Sequence, residues 1–190
     1  KAVAHTVKQH IASATGLLKY FEFGSDDTWL LSLPMYHVSG LAIFYRWLVA
    51  GATLKVGNQG LEKDIDGCTH ASLVTTQLRR LLDSECPLSL SHVLLGGSYI
   101  PNQLAQEANQ RGITTWLGYG MTEAASTVTA KPVDESNTTG FVLPQRRVKV
   151  EDGRIYISGE TLASGYFYQG QLAPLVDGAG WFDSKDLGLW

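Results

Sequence analysis

Short apolar runs alternate with stretches of helical spacing through much of the chain, and that alternation restricts the fold more than any other feature. "TWLLSL" reads as a buried strand and "SGLAIFYRWLVAG" as a mostly buried helix closed by Gly51. The pattern repeats in "ATLKV", in "HASLVTT" into "QLRRLLD", in "SHVLLGG" into "PNQLAQEANQRG", and in "ITTWLGYG" into the Thr122 region. Ahead of these, apolar residues recur near helical spacing from Ala2 to Phe21, which predicts one amphipathic helix. Pro101 near the start of its helix and Gly112 just past the end follow the usual asymmetry. Alternation of this kind implies an α/β fold, a mainly parallel sheet with flanking helices. Ligands in such sheets sit beyond the carboxyl ends of the strands. Gly96-Gly97-Ser98 and Gly118-Tyr119-Gly120 would fall on that edge.

After about Pro132 the texture changes. "RVKVEDGRIYIS" is a pair of alternating strands around Asp152-Gly153, a strong hairpin signal. "TLASGYFYQG" and "GWFDSKDLGLW" continue in the same manner with glycine turns. The expected division is an α/β part over residues 1–139 and a small all-β subdomain over residues 140–190.

A chain of 190 residues is long enough for one domain or one large piece of a bigger protein. Its 44% hydrophobic content suits a chain that buries a real core. A net charge of −3 argues against a nucleic-acid footprint or a membrane-surface patch. Cys68 and Cys86 form neither a CxxC pair nor a disulfide framework, so a reducing cytoplasm is the default expectation. The most apolar stretch, "LAIFYRWLVAGATL", is broken by Arg46 and is too short to span a bilayer. The chain starts at Lys1 rather than Met and stops on Trp190, so both ends look cut.

The chemistry concentrates in "WLGYGMTEAAS". Glycines after a strand permit a sharp turn and a close approach to a ligand. Thr122 can then offer a hydroxyl to phosphate oxygens, and Glu123 a hard oxygen ligand to Mg²⁺. The same pair suits a helix start, with Thr122 as N-cap and Glu123 in the first turn. These residues alone leave both readings open.

An ordered set of short stretches carries a resemblance. "KAVAHT", "LPMYHVSG", "LLGGSYIP", "GYGMTE", "SGETLASGYF" and "GWFDSKDLG" follow one another as in the adenylate-forming superfamily of acyl-CoA synthetases, luciferases and peptide-synthetase adenylation domains. The resemblance covers essentially the whole chain, and it implies a truncated N-terminal domain of such an enzyme. By position, Tyr119 resembles the aromatic that stacks on adenine, with Gly97 and Ser98 walling the other side. Gly118, Gly120 and Met121 complete that nucleotide segment. Thr122 would bind phosphate oxygen, Glu123 would ligate Mg²⁺, and Asp186 would accept both ribose hydroxyls, a role suited to an ionised acceptor. Asp186 could instead be a hairpin turn residue. His37 resembles the histidine lining the acyl channel near the activated carboxylate, although a lone histidine beside an apolar stretch is usually a satisfied core residue. His5, His10, His70 and His92 read as surface or packing residues. Glu160 and Gly165 match a "GE…GY" pattern whose role is mainly scaffolding.

The chain also departs from the pattern. Of the phosphate loop ending in Pro-Lys only Lys1 is present, and Ser184-Lys185-Asp186 stands for the usual Thr-Gly-Asp. In the superfamily a small C-terminal domain carrying a catalytic lysine follows, and this stretch is expected to lack it. The reaction implied uses ATP, Mg²⁺ and coenzyme A to convert a carboxylic acid to an acyl-adenylate and then a thioester. This stretch alone is expected to fold without catalysing adenylation, and to self-associate through apolar surface left uncovered.

Within the superfamily, "LPMYHVSGLAIFYRWLVAGATL" with "ASLVTTQLRRLL" most resembles the o-succinylbenzoate–CoA ligases of menaquinone biosynthesis. Arg46, a charge in an apolar helix, could hold the second carboxylate of such a diacid. It could equally face solvent or pair with an acidic neighbour. Ser39 and the Thr75-Thr76-Gln77 turn are further pocket candidates. The alternatives are another aryl- or fatty-acid CoA ligase, or a catalytically silent nucleotide-binding module.

Overall fold

The computed structural model describes residues 2–84, 86–96 and 100–190. Its first element corrects the single opening helix read from periodicity. Ala2–Ala4 form a strand, β1, and the helix α1 spans only Val7–Leu18. Residues Ala2 to Ala4 pair antiparallel with Phe167, Tyr166 and Gly165 at the far end of the chain, an arrangement that no local spacing announces. Thr6 then starts the helix with a capping box. Its hydroxyl accepts from the Gln9 N–H at 3.3 Å, and its own N–H donates to Gln9 Oε1 at 2.7 Å.

The alternation then appears as the sequence suggests. The elements are β2 (Thr28–Leu30), α2 (Val38–Ala50), β3 (Thr53–Lys55), a short α3 (Leu61–Asp64), β4 (His70–Leu73), α4 (Thr75–Asp83), β5 (His92–Gly96), α5 (Asn102–Gln110) and β6 (Thr114–Met121). Gly51 ends α2 in the left-handed conformation at φ 65°, and Gly112 follows α5 at φ 76°. β6 is followed by a single 3-10 turn at Thr122–Ala124 and by β7 (Ser126–Pro132), where helical alternation would have placed a helix. The rest is β8 (Phe141–Val142), β9 (Arg146–Glu151), β10 (Arg154–Gly159), β11 (Gly165–Tyr168), β12 (Gln171–Ala173) and β13 (Phe182–Leu187). The β9–β10 hairpin turns on Asp152 at φ 50° and Gly153 at φ 74°, the positive angles its sequence calls for.

Among the described residues the strands build a seven-stranded sheet in the order β3-β2-β4-β5-β6-β7-β8 and two three-stranded sheets, β1-β11-β12 and β13-β10-β9. Pairings from β3 through to β6 are parallel, while β7 and β8 join antiparallel. One face of the large sheet buries Leu73, Leu78, Leu81, Val93, Leu95 and Leu104 against α4 and α5. The other buries Leu17, Phe21, Trp29, Ile43 and Trp116 against α1 and α2. A third cluster, with Ala124, Val128, Ile157, Leu162 and Phe182, ties the 3-10 turn to the β9–β13 sheet. His10 and His70 are buried packing residues, as expected. His10 stacks on Tyr45 at 4.7 Å, and burial together with the neighbouring His5 pulls its pKa down to about 4, so it packs as a neutral ring.

Candidate functional site

The carboxyl end of β6 is where the glycines, the hydroxyl and the carboxylates converge. Strand alternation puts Gly118 and Gly120 on one face and Tyr119 on the other. Gly120 has no room for a side chain, because a Cβ there would lie 1.8 Å from the Ser126 carbonyl oxygen. The β6–β7 register shifts at this point, between Tyr119 and Gly120. The strand end consequently borders three cavities. One of about 330 Å³ meets Gly118, Gly120, Met121 and Thr122. A second of about 580 Å³ meets Gly118, Tyr119 and Gly120 on the α5 side. A third, also about 580 Å³, lies between Met121, Glu123, Tyr166 and Asp186.

Arg46 forms part of the wall of the first cavity, together with Ser39, Ser72 and Thr127. It is 3% exposed. Its Nη1 donates to Ser72 Oγ at 3.4 Å and its Nη2 to Thr127 Oγ1 at 3.3 Å, while the guanidinium lies 5.3 Å from the Trp29 ring centroid. Among the described residues no carboxylate pairs with it. Burial, with the charge of Arg146 nearby, pulls its pKa down to about 9. It stays a cation at neutral pH, held by hydroxyls and an aromatic face, on the wall of a cavity otherwise rich in leucine. Two hydroxyl contacts compensate such a charge poorly, so an anion entering the cavity would be strongly favoured.

On the opposite side, Tyr119 donates from its phenol to Asp186 Oδ2 at 2.7 Å. Burial and that bond push the Tyr119 phenol well above its ordinary range, so it remains a donor. Glu123 accepts from the Tyr166 phenol at 2.8 Å, and burial with that bond pushes Tyr166 up to about 12. The backbone of the turn is held as well. His5 donates from Nε2 to the Thr122 carbonyl at 2.6 Å, and the Ala163 N–H donates to the Glu123 carbonyl at 2.8 Å. A carbonyl only accepts, so Nε2 of His5 must carry the ring proton. Immediately after Glu123, Ala125 at φ 52° and Ser126 at φ 89° adopt left-handed angles that L side chains disfavour. Ser13 on α1 supports them by donating to the Ala125 carbonyl at 2.5 Å, and Arg146 in turn donates to Ser13 Oγ at 2.7 Å.

Tyr119, Met121, Thr122, Glu123 and Asp186 thus come together with Gly118 and Gly120, and Ser39 joins Arg46 across the strand end. Thr122 does not cap a helix: Met121 occupies the N-cap position of the 3-10 turn, without a side-chain cap bond. His37 is exposed at the α2 N-cap, next to Val38 and Ser39 of the first cavity. Thr75, Thr76 and Gln77 sit in the first turn of α4, after the cavity residue Val74. Gly97, Ser98 and Lys1 lie outside the described residues. Sequence reasoning missed Ser72, Thr127, Tyr166 and His5. Tyr166 and His5 stand inside the quoted "SGETLASGYF" and "KAVAHT" stretches, which was the available signal.

The AMP-binding enzyme family matches residues 1–167. The chain belongs to that family. Among its curated relatives is the 2-succinylbenzoate–CoA ligase of Salmonella typhimurium, 49% identical over 99% of this chain and 42% of the relative. The ligase of the same name from Escherichia coli is 48% identical over 99% and 42%. Among solved structures, wild-type E. coli MenE with a bound phenylether-linked analogue of OSB-AMS matches at TM-score 0.94 and 47% identity, over 100% of this chain and 43% of that one. The Bacillus subtilis o-succinylbenzoate coenzyme A synthetase in complex with ATP and magnesium ion matches at TM-score 0.84 and 27% identity, over 98% and 44%. The chain therefore spans less than half the length of these AMP-binding relatives. Among the described residues no helix is long and apolar enough to cross a membrane.

Proposed function

We propose that this chain is part of an ATP-dependent acid–CoA ligase that activates o-succinylbenzoate, for menaquinone biosynthesis, in two steps. A carboxylate oxygen of the acid attacks the α-phosphorus of ATP, pyrophosphate leaves, and an acyl-adenylate forms. The thiolate of coenzyme A then attacks the acyl carbon and AMP departs. The observation that carries this reading is Arg46, a buried cation without a carboxylate partner among the described residues, on the wall of the cavity that reaches Thr122. A diacid supplies one carboxylate to Arg46 and the other to the reaction. Ser39, Ser72 and Thr127 line the same space and orient the substrate and the guanidinium.

The nucleotide lies along the other faces of the strand end. Tyr119 stacks on adenine, and Asp186 receives the ribose hydroxyls while it holds the Tyr119 phenol. Thr122 contacts phosphate oxygen. His37, exposed at the α2 N-cap two residues before Ser39, would line the approach of acid and thiol. The donor set fits Mg²⁺ shared with phosphates. Among the described residues no cluster of three or more histidines, cysteines or carboxylates forms a protein cage, and Mg²⁺ is ordinarily held by one or two carboxylates plus substrate phosphates. Glu123 would be that carboxylate. Mg²⁺ bound there would neutralise developing charge on the phosphates. Positioning and charge neutralisation provide most of the first step. We also read residues 1–139 as the AMP-binding α/β part and 140–190 as a β-rich part. The β9–β10–β13 sheet supports that division, although β8 crosses it by pairing with β7 and β1 crosses it by pairing with β11.

The test is coenzyme A consumption and AMP release by the full-length protein with a panel of acids. Turnover of o-succinylbenzoate is expected. Turnover of aryl or fatty monocarboxylates with none of the diacid would favour a different ligase of the family, and no turnover of any acid would favour a silent nucleotide-binding module. Asp186→Asn is expected to raise KM for ATP about tenfold or more, the scale of a lost charge-assisted hydrogen bond. KM for the acid should stay nearly unchanged. A variant impaired only toward the acid would overturn the ribose assignment.

A further inference from the structure

Tyr166 has no part in the assignments above, yet its phenol donates to Glu123 Oε1 at 2.8 Å. The backbone that carries it is well anchored. β11 is the middle strand of its sheet, with Tyr166 opposite Val3 on one side and Ala173 on the other. Of the residues just before it, Ala163 bonds the same turn and Ser164 bonds β1 and α1. The Ala163 N–H donates to the Glu123 carbonyl at 2.8 Å, the Ser164 N–H to the Ala4 carbonyl at 2.8 Å, and Gln9 Nε2 to Ser164 Oγ at 3.3 Å. One short segment therefore fixes both the backbone and the carboxylate of Glu123.

We propose that Tyr166 is a positioning residue, holding Oε1 of Glu123 so that Oε2 is presented to the cation of Mg-ATP. This rests on the reading of Glu123 as the Mg²⁺ ligand. A neutral donor is the suitable partner for such a carboxylate. A lysine or arginine in the same place would cancel the charge that the cation needs, whereas a phenol restrains the side chain and leaves the charge in place. The restraint matters because an unrestrained glutamate loses rotamer freedom each time it takes up a metal. The third cavity, between Glu123, Met121, Tyr166 and Asp186, gives the cation and phosphates room to approach.

The experiment compares wild type, Tyr166→Phe and Glu123→Gln in the full-length enzyme. At fixed ATP, Mg²⁺ is titrated while the thermal midpoint is recorded, and again while ATP–pyrophosphate exchange is recorded. Tyr166→Phe is expected to need about three- to tenfold more Mg²⁺ for the half-maximal effect in both readouts. At saturating Mg²⁺ its exchange rate should return close to wild type, and its thermal midpoint without nucleotide should be nearly unchanged. An unshifted Mg²⁺ midpoint in Tyr166→Phe, alongside a shifted one in Glu123→Gln, would overturn the role of Tyr166 alone. An unshifted midpoint in Glu123→Gln would overturn the metal reading on which it stands. A Tyr166→Phe protein that fails to fold would assign Tyr166 to structure and also overturn the proposal.

Discussion

In the full-length enzyme, Arg46→Met is expected to lower kcat/KM for o-succinylbenzoate by about a hundredfold or more, the cost of truncating one partner of a buried charge pair. A monocarboxylic analogue lacking the second carboxylate should lose far less, so the preference for the diacid collapses. Folding should not suffer in the same way. Arg46 is 3% exposed, has no carboxylate partner among the described residues, and rests its guanidinium on two long hydroxyl contacts and the Trp29 face. Replacing a buried cation that lacks an ionic partner with an apolar chain of similar length is expected to be neutral or stabilising for the apoprotein. Two further readouts follow from the pKa, which burial lowers to about 9. The folded state gives up this proton more readily than the unfolded chain. Between about pH 9 and the ordinary arginine range the unfolded chain therefore binds more protons, and the Arg46 contribution makes the apoprotein more stable as pH rises there. The diacid moves the other way: it pairs with the charged form, so its stabilising effect should fade as pH rises through and beyond about 9. Equal losses toward diacid and monoacid, or a wild-type thermal shift no larger with the diacid, would refute the assignment.

Arg46 also marks the line between what the sequence discloses and what it does not. A charge in an apolar helix is visible in "LAIFYRWLVAG", but its facing is not. Helical spacing says which residues share a stripe, whereas Ser72 and Thr127, which receive the guanidinium, come from β4 and β7. The parallel sheet was legible because each strand and helix carries its own period. β1 was not, because three residues have no period and owe their shape to β11. The ending of β6 was misleading for a related reason. Thr122 and Glu123 satisfy local rules for a helix start, yet the pairing of β6 with β7 through Met121↔Ser126 leaves room for only one 3-10 turn. The residues proposed for the nucleotide side stand in the ordered motifs, and the structure brings Tyr119, Thr122, Glu123 and Asp186 together at the end of β6. His5 reads as a surface or packing residue, since nothing in "KAVAHT" reveals that its ring meets the Thr122 carbonyl. Tyr166 sat in a motif read as scaffolding, and its phenol reaches a carboxylate on another element. Residues that act on a ligand are recognisable by type and spacing. Those that act on other residues become recognisable only when the elements are packed.

Glu123→Gln in the full-length enzyme is the other substitution expected to have a large effect. Adenylate formation, followed by ATP–pyrophosphate exchange, should fall about a hundredfold or more, the scale of losing an electrostatic group aimed at developing charge. The thermal midpoint without nucleotide should move by no more than a few degrees, for reasons visible around the turn. The backbone bond from Ala163 to the Glu123 carbonyl does not involve the side chain, and an amide oxygen can still accept from the Tyr166 phenol. His5 continues to hold the Thr122 carbonyl, and Ser13 the Ala125 carbonyl. The substitution removes charge and little else. The strained angles at Ala125 and Ser126 show that the surrounding contacts, rather than the carboxylate, set the shape of the turn. Loss of activity with folding retained separates a metal-binding carboxylate from a capping one, because a cap contributes equally with and without nucleotide. If the thermal midpoint and the exchange rate fell together, or if the variant kept the wild-type dependence on Mg²⁺, Glu123 would be a structural residue and the cation would have to be held elsewhere.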